Sequence, residues 1–61
     1  MYQIYQITNG SKVAVKGSFY DLQVAIDSLV ADSKGAYFEI DGDSADVFIP
    51  MTGEIFAIEK D

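Results

Sequence analysis

Carboxylates are the side chains of this chain best suited to chemistry, and they concentrate in its second half. Residues 36–61 hold seven acidic residues against Lys60, whereas in residues 1–35 three lysines balance three aspartates. The whole net charge of −6 therefore lies in residues 36–61. The chain has no His and no Cys, so the commonest side chains for general bases, nucleophiles and soft metal ligands are missing.

Acid–base catalysis and metal binding are both disfavoured by the spacing of the acids. Paired carboxylates catalyse proton transfer when burial raises the pKa of one of them, but these acids fall on predicted turns and alternating strand positions. The sequence from Asp41 to Asp46 begins like a calcium loop, yet position five is Ala45 and position twelve is Thr52 instead of Glu. We therefore expect no enzymatic activity, no cofactor and no metal site; weak divalent binding through Asp41, Asp43 and Asp46 is the alternative.

Display of charge to a basic partner is the third use of these carboxylates. The acidic positions are Glu39, Asp41, Asp43 and Asp46, followed by Glu54, Glu59 and Asp61. Alternate residues of a strand project from one face at a spacing of about 6–7 Å, which is comparable with the phosphate spacing along a DNA strand. Such a grid would fit a Lys/Arg groove built for nucleic acid. The alternative is that these charges keep a small domain soluble and prevent pairing at a sheet edge.

Aromatic side chains accompany the acids on the same predicted strand faces. Tyr37 and Phe48 have the outward parity of their strands, and Tyr20 and Val24 fall opposite the apolar stripe of the predicted helix. Exposed aromatics beside carboxylates are typical of binding anchors. The alternative is that a homodimer buries them, or that the sheet packs against something on both faces.

Strand and turn signals dominate the elements that carry these residues. The predicted strands cover residues 2–8, 12–16, 36–41, 45–49 and 54–59. Asn9-Gly10 predicts a tight hairpin between the first two, because both central turn positions need a positive φ. Gly42-Asp43-Ser44 and Met51-Thr52-Gly53 mark later turns, and Pro50 ends the fourth strand or places it at an edge.

One helix is predicted between the second and third strands, over residues 19–33. Gly17 ends the strand, and Ser18 with Asp21 three residues later forms a capping box. Gly35 is a suitable residue just beyond the helix end.

The predicted fold is α+β: one domain over residues 1–61, in the order β-β-α-β-β-β, forming an antiparallel sheet with the helix packed on one face. The predicted core is Val13, Val15, Phe38, Ile40, Val47 and Ile49, with the helix stripe of Phe19, Leu22, Ala25, Ile26, Leu29 and Val30. The fifth strand is apolar on both faces, which indicates a central strand or one covered by a partner.

Composition also indicates the setting in which the chain works. The lack of Cys agrees with a reducing compartment, and we expect neither a signal peptide nor a membrane span. A net charge of −6 disfavours direct binding to nucleic acid or to an anionic membrane. We expect a cytoplasmic protein that is a monomer or a weak homodimer.

In size, acidity, absence of Cys and His, and the β-β-α-β-β-β pattern with its acidic EIDGDSAD segment, the chain resembles the small acidic proteins that bacteriophages encode against host defence, above all anti-CRISPR proteins. The resemblance implies a stoichiometric inhibitor in the cytoplasm of the host bacterial cell, which occupies the DNA- or PAM-reading groove of a Cas complex. The implied DNA-mimic residues are Glu39, Asp41, Asp43 and Asp46, with Glu54, Glu59 and Asp61 as a second rank.

Two other interpretations stay open. The interface of such an inhibitor could be mixed, with Tyr37 or Phe48 added to the carboxylates. Alternatively, the chain is a small structural or homo-oligomeric phage or accessory protein that uses its exposed aromatics as the interface.

Overall fold

Five strands and a helix make up the computed structural model, which describes residues 1–31 and 33–61. The elements are β1 Tyr2–Thr8, β2 Ser11–Phe19, α1 Leu22–Val30, β3 Tyr37–Asp41, β4 Ser44–Ile49 and β5 Glu54–Lys60. The strands form one antiparallel sheet in the order β2-β1-β5-β4-β3. The α+β class and the order of elements agree with the prediction.

The turn between β1 and β2 follows directly from its sequence. Thr8 pairs with Ser11, and the two residues between them, Asn9 and Gly10, have φ angles of 50° and 79°. Positive φ at both positions defines a type I′ turn, whose twist matches that of the flanking strands. The Asn-Gly hairpin prediction is confirmed.

The turn between β3 and β4 is one residue shorter than predicted. Asp41 pairs with Ser44, which leaves Gly42 and Asp43 as the two turn residues. Gly42 has a φ of 62° whereas Asp43 does not have a positive φ, as in a type II′ turn. The hydroxyl of Ser44 donates to the Asp41 carbonyl oxygen at 3.0 Å, so Ser44 belongs to the end of the hairpin ladder.

The predicted helix start is wrong, because β2 continues through Gly17 to Phe19. Asp21 is the N-cap: its backbone is extended, and its Oδ1 accepts a hydrogen bond from the Gln23 backbone N–H at 2.8 Å. Ser18 lies within the strand, so the predicted capping box does not form. Asp21, which was predicted as the last residue of the capping box, is itself the N-cap.

Gly17 does not end β2; instead it accommodates a side chain of the neighbouring strand. Gln3 pairs with Gly17, and the Gln3 Nε2 donates to the Lys16 carbonyl oxygen at 2.6 Å. A Cβ at position 17 would lie 2.5 Å from the Gln3 Oε1. The glycine therefore permits a close approach between β1 and β2, which is a common role of glycine in a strand.

The helix also ends before the predicted position. Ala31 is its C-cap, and the Ser33 backbone N–H and hydroxyl donate to the carbonyl oxygens of Val30 and Leu29 at 3.1 and 3.3 Å. These bonds satisfy terminal carbonyls that a longer helix would have paired. Gly35 has a φ of 74° but lies beyond the cap. Residue 32, within the predicted range 19–33, is outside the described residues.

The buried residues lie on one side of the sheet, which we call the core face. They are Ile4, Ala45, Val47, Ile49, Phe56 and Ile58, together with Ala25 and Ile26 of α1. Register explains the grouping, since Ile58 pairs with both Ile4 and Ala45, and paired residues share a face. Partly buried side chains pack against this cluster: Tyr2, Phe19, Leu22, Leu29, Val30 and Ala36.

Four residues predicted for the core are about half exposed: Val13 at 52% and Val15, Phe38 and Ile40 at 48%. All four belong to the edge strands β2 and β3. A helix of nine residues is only about 13 Å long, whereas five strands at about 4.8 Å spacing make a sheet nearly 20 Å wide. The prediction is wrong at these positions because the apolar strand faces extend beyond the buried cluster, to which the helix contributes only Ala25 and Ile26.

The fifth strand is central, which is one of the two alternatives its pattern allowed. β5 lies between β1 and β4, with Phe56 and Ile58 buried on the core face and Ile55 and Ala57 on the opposite face. Pro50 follows directly after the last residue of β4, as predicted.

The observed cap generates a stability prediction. Asp21→Ala should lower the free energy of unfolding by about 1 kcal/mol, because the Gln23 N–H loses its acceptor at the helix start. Ser18→Ala should change it by less than about 0.5 kcal/mol, as is usual for an exposed position without such a bond. Urea unfolding followed by circular dichroism measures both. A larger loss for Ser18→Ala than for Asp21→Ala would contradict the assignment of the cap.

Candidate functional site

The outer face, opposite the core face, presents an apolar row beside an acidic one. Across β3, β4, β5 and β1, one row of paired residues is Tyr37, Phe48, Ile55 and Ile7. The neighbouring row is Glu39, Asp46, Ala57 and Tyr5. Antiparallel register thus places the predicted aromatics Tyr37 and Phe48 on the same face as Glu39 and Asp46.

A shallow depression of about 370 Å³ lies at the β3 side of the sheet. It is lined by Tyr37, Phe38, Glu39, Asp46, Val47, Phe48 and Ile55. We call its outer-face members the acid–aromatic patch: Tyr37, Glu39, Asp46, Phe48 and Ile55. The three apolar members are 67%, 40% and 45% exposed for Tyr37, Phe48 and Ile55. The patch therefore offers apolar contact area beside two carboxylates.

Ile55 is the patch residue that the sequence analysis did not select. Its signal was present, since the fifth strand is apolar on both faces. The central position of β5 explains the pattern: Phe56 fills the core while Ile55 extends the exposed apolar row beside Phe48.

The hairpin of β3 and β4 gathers four of the predicted acids. Glu39 pairs directly with Asp46, Asp41 lies on the same face one row further along, and Asp43 occupies the turn. All four are exposed, and no salt bridge joins them to a cation within residues 1–31 and 33–61. Like charges directly opposite one another destabilise a sheet, so this hairpin carries an electrostatic cost in the free protein.

The remaining acids lie apart from the patch and already have partners. Glu59 is on the outer face but binds the Lys12 Nζ with its two oxygens, at 2.9 and 2.8 Å. Glu54 pairs with Ile49 on the core face, and its carboxylate accepts hydrogen bonds from Gln6 and Thr52. The Asp61 carboxylate is 3.5 Å from the N-terminal ammonium. The predicted grid therefore divides into an unpaired group on β3–β4 and three separate, partnered acids.

Lys12 neutralises the negative charge on the part of the outer face that β2, β1 and β5 form. Its Nζ lies 5.0 Å from the centroid of the Tyr5 ring while it bonds Glu59, which combines a cation–π contact with an ion pair. The hydrogen bond that Lys12 donates to Glu59, together with the negative charge of Glu59, raises the pKa of Lys12 above its ordinary value, against a smaller opposing effect of desolvation. The outer face is thus neutralised on one side and anionic on the other.

Tyr20 and Val24 are exposed but lie outside the acid–aromatic patch. Tyr20 is 90% exposed and precedes α1, so it does not lie on a helix face as predicted. Val24 lies within α1 and is 53% exposed.

Residues 1–31 and 33–61 contain no group of three or more acidic, His or Cys side chains placed to hold a metal ion. Their helix is too short to be a candidate for crossing a membrane.

The ion pair between Lys12 and Glu59 leads to a titration prediction. Glu59→Gln should lower the pKa of Lys12 toward its ordinary value, because the hydrogen bond to Glu59 is the largest cause of the raised pKa. The stability that this pair contributes is present below the unfolded-state pKa of Lys12 and is lost as the pH rises through the higher folded-state value. NMR titration of the Lys12 Cε protons measures the shift. Glu54→Gln, the same charge change on the core face, should leave the Lys12 pKa unchanged; equal shifts in both variants would contradict the assignment.

Comparison with known proteins returned no similarity: no family model matches the sequence, and neither a curated protein nor a solved structure matches it.

Proposed function

We propose that this protein is a non-enzymatic inhibitor that binds a basic, nucleic-acid-binding protein in the cytoplasm of a host bacterium, in the manner of anti-CRISPR proteins. In this proposal α1 packs on the core face and leaves the outer face for the partner. The observation that carries it is the acid–aromatic patch: carboxylates without a cationic partner among the described residues, beside exposed aromatic rings.

The opposed carboxylates of Glu39 and Asp46 support a cationic ligand. Their Cβ atoms should be about 5 Å apart as cross-strand neighbours, so a guanidinium or ammonium group placed between them interacts with both. Charge-assisted hydrogen bonds of this kind are shorter and stronger than neutral ones. Binding would relieve the repulsion that the hairpin carries when it is free, which favours the complex.

The apolar row supports a protein partner in preference to a free cation. Tyr37, Phe48 and Ile55 provide exposed area that a partner side chain can cover, and aromatic residues dominate the energetics of many protein interfaces. Tyr37 and Phe48 also present ring faces to which an arginine can bind by cation–π contact. Specificity would come from these contacts, while the carboxylates accelerate encounter with a basic groove.

The geometry of the hairpin supports competition with nucleic acid as the mechanism. Glu39 and Asp41 are about 6–7 Å apart along β3, and Asp46 adds a second line of charge on the adjacent strand. A groove that neutralises phosphates with Lys and Arg would meet a comparable array of carboxylates. While this protein occupies that groove, DNA would be excluded from it.

A pair of matched variants tests the proposal. The wild-type protein, tagged and incubated with lysate of bacteria that carry CRISPR systems, should capture a DNA-binding protein that high salt or competing duplex DNA releases. Glu39→Gln with Asp46→Asn should weaken binding of that purified partner by about tenfold or more, since two charge-assisted contacts become neutral. Asp27→Asn with Asp61→Asn has the same net charge outside the patch and should bind within about threefold of wild type. Equal weakening by both variants would contradict a defined site.

A second candidate function is supported by the extent of exposed apolar surface at the same end of the sheet. Phe48 and Ile55 are exposed on the outer face and Phe38 and Ile40 on the core face, as expected of a subunit that assembles with its own copies. Sedimentation at two concentrations separates the candidates. A dimer that Phe48→Ser dissociates would favour the homo-oligomeric structural role, whereas a monomer at high micromolar concentration would favour the inhibitor.

A further inference from the structure

We propose that the free edge of β3 accepts an extended basic segment of the partner as a sixth strand of the sheet. The basic character of this segment rests on the proposed function, but its extended conformation is inferred independently from the edge itself. β3 is the last strand in the order β2-β1-β5-β4-β3. An exposed edge strand is a template to which a peptide can add by main-chain hydrogen bonds.

The two edges of this sheet differ in how well they are protected. β2 contains two register shifts opposite β1 and carries Lys12 and Lys16, which are the usual means of preventing edge pairing. β3 pairs with β4 in unbroken register, and its sequence YFEID contains neither Pro nor Lys. All five of its residues are exposed. The only charges on β3 are those of Glu39 and Asp41, which oppose the addition of an acidic strand and favour that of a basic one. This edge lies beside the acid–aromatic patch.

Main-chain groups available for the added strand follow from the hairpin register. Asp41 and Ser44 flank a two-residue turn, so they form a hydrogen-bonded pair, and such pairs alternate with non-bonded pairs along an antiparallel ladder. Glu39 therefore bonds to β4, whereas the N–H and C=O groups of Phe38 and Ile40 point toward the free edge. These two residues offer two donors and two acceptors to a sixth strand.

Side chains on β3 specify what the added strand should contain. Glu39 lies on the outer face with Asp41, and Phe38 lies on the core face with Ile40. Cross-strand neighbours share a face, so the complementary segment alternates Arg or Lys with an apolar residue. A second copy of this chain fits less well, because it brings another net charge of −6 to the same edge.

Two synthetic peptides provide the test of the segment's pattern. The first is the capped heptapeptide Arg-Val-Arg-Val-Arg-Val-Arg, and the second has the same composition in two blocks, Arg-Arg-Arg-Arg-Val-Val-Val. Isothermal titration at low salt should give a dissociation constant at least about tenfold lower for the alternating peptide. Equal affinity for the two peptides would overturn the inference, because bulk charge alone would then explain binding.

Backbone methylation tests the hydrogen bonds of the edge. The chain prepared by chemical synthesis with N-methyl-Ile40 keeps the side chain and loses an outward donor, so the alternating peptide should bind at least about tenfold more weakly. N-methyl-Lys12 is the matched control: Lys12 pairs with Ile7, next to the hydrogen-bonded pair Thr8–Ser11, so its N–H points outward on the opposite edge. It should bind within about twofold of the unmodified chain. N-methyl-Phe38 replaces the first variant if circular dichroism shows that N-methyl-Ile40 is unfolded.

The outcomes separate this inference from the proposed function. Unchanged peptide affinity after methylation of Ile40 or Phe38 would overturn the sixth strand, whatever the lysate experiment gives. Peptide binding that methylation weakens would support the edge, even if no DNA-binding protein is captured and the inhibitor proposal fails. A dimer of the free chain that methylation dissociates would overturn the basic occupant and assign the edge to a second copy.

Discussion

Only the three central strands of the five-stranded sheet contribute to the buried cluster, and the rest of the structure depends on this limited coverage. α1 contributes Ala25 and Ile26 to the buried cluster, whose other members come from β1, β4 and β5. The edge strands gain little from the core, so Val13 and Phe38 are about half exposed. A 61-residue chain has little apolar area to stabilise its fold. Because stability alone would favour burial of that area, apolar surface that stays exposed at a free edge supports the proposed binding role.

Charge, like burial, is distributed unevenly across the sheet. Lys12 neutralises Glu59 on the side of β2, while the β3–β4 hairpin keeps its carboxylates without a cationic partner among the described residues. Tyr37 and Phe48 lie on the anionic side with them. The proposed recognition surface lies at one end of the molecule, where apolar area, negative charge and free main-chain groups coincide.

Local patterns in the sequence predicted the strands and turns well, because each depends on neighbouring residues. Asn9-Gly10 determined its own turn, and alternation along β3 and β4 placed Glu39 and Asp46 on one face. Properties that depend on distant contacts could not be read in this way. Gly17 lies within a strand that pairs with Gln3, fourteen positions earlier. The separation of Glu59 from the other acids depends on strand order.

The opposition of Glu39 and Asp46 also affects how this protein would respond to selection for stability. Locally frustrated pairs of this kind are the positions at which stabilising substitutions are easiest to find, since almost any neutral replacement removes a repulsion. Selection for thermal tolerance alone would then neutralise the hairpin first. A protein stabilised in that way would lose the carboxylates on which the proposed recognition depends.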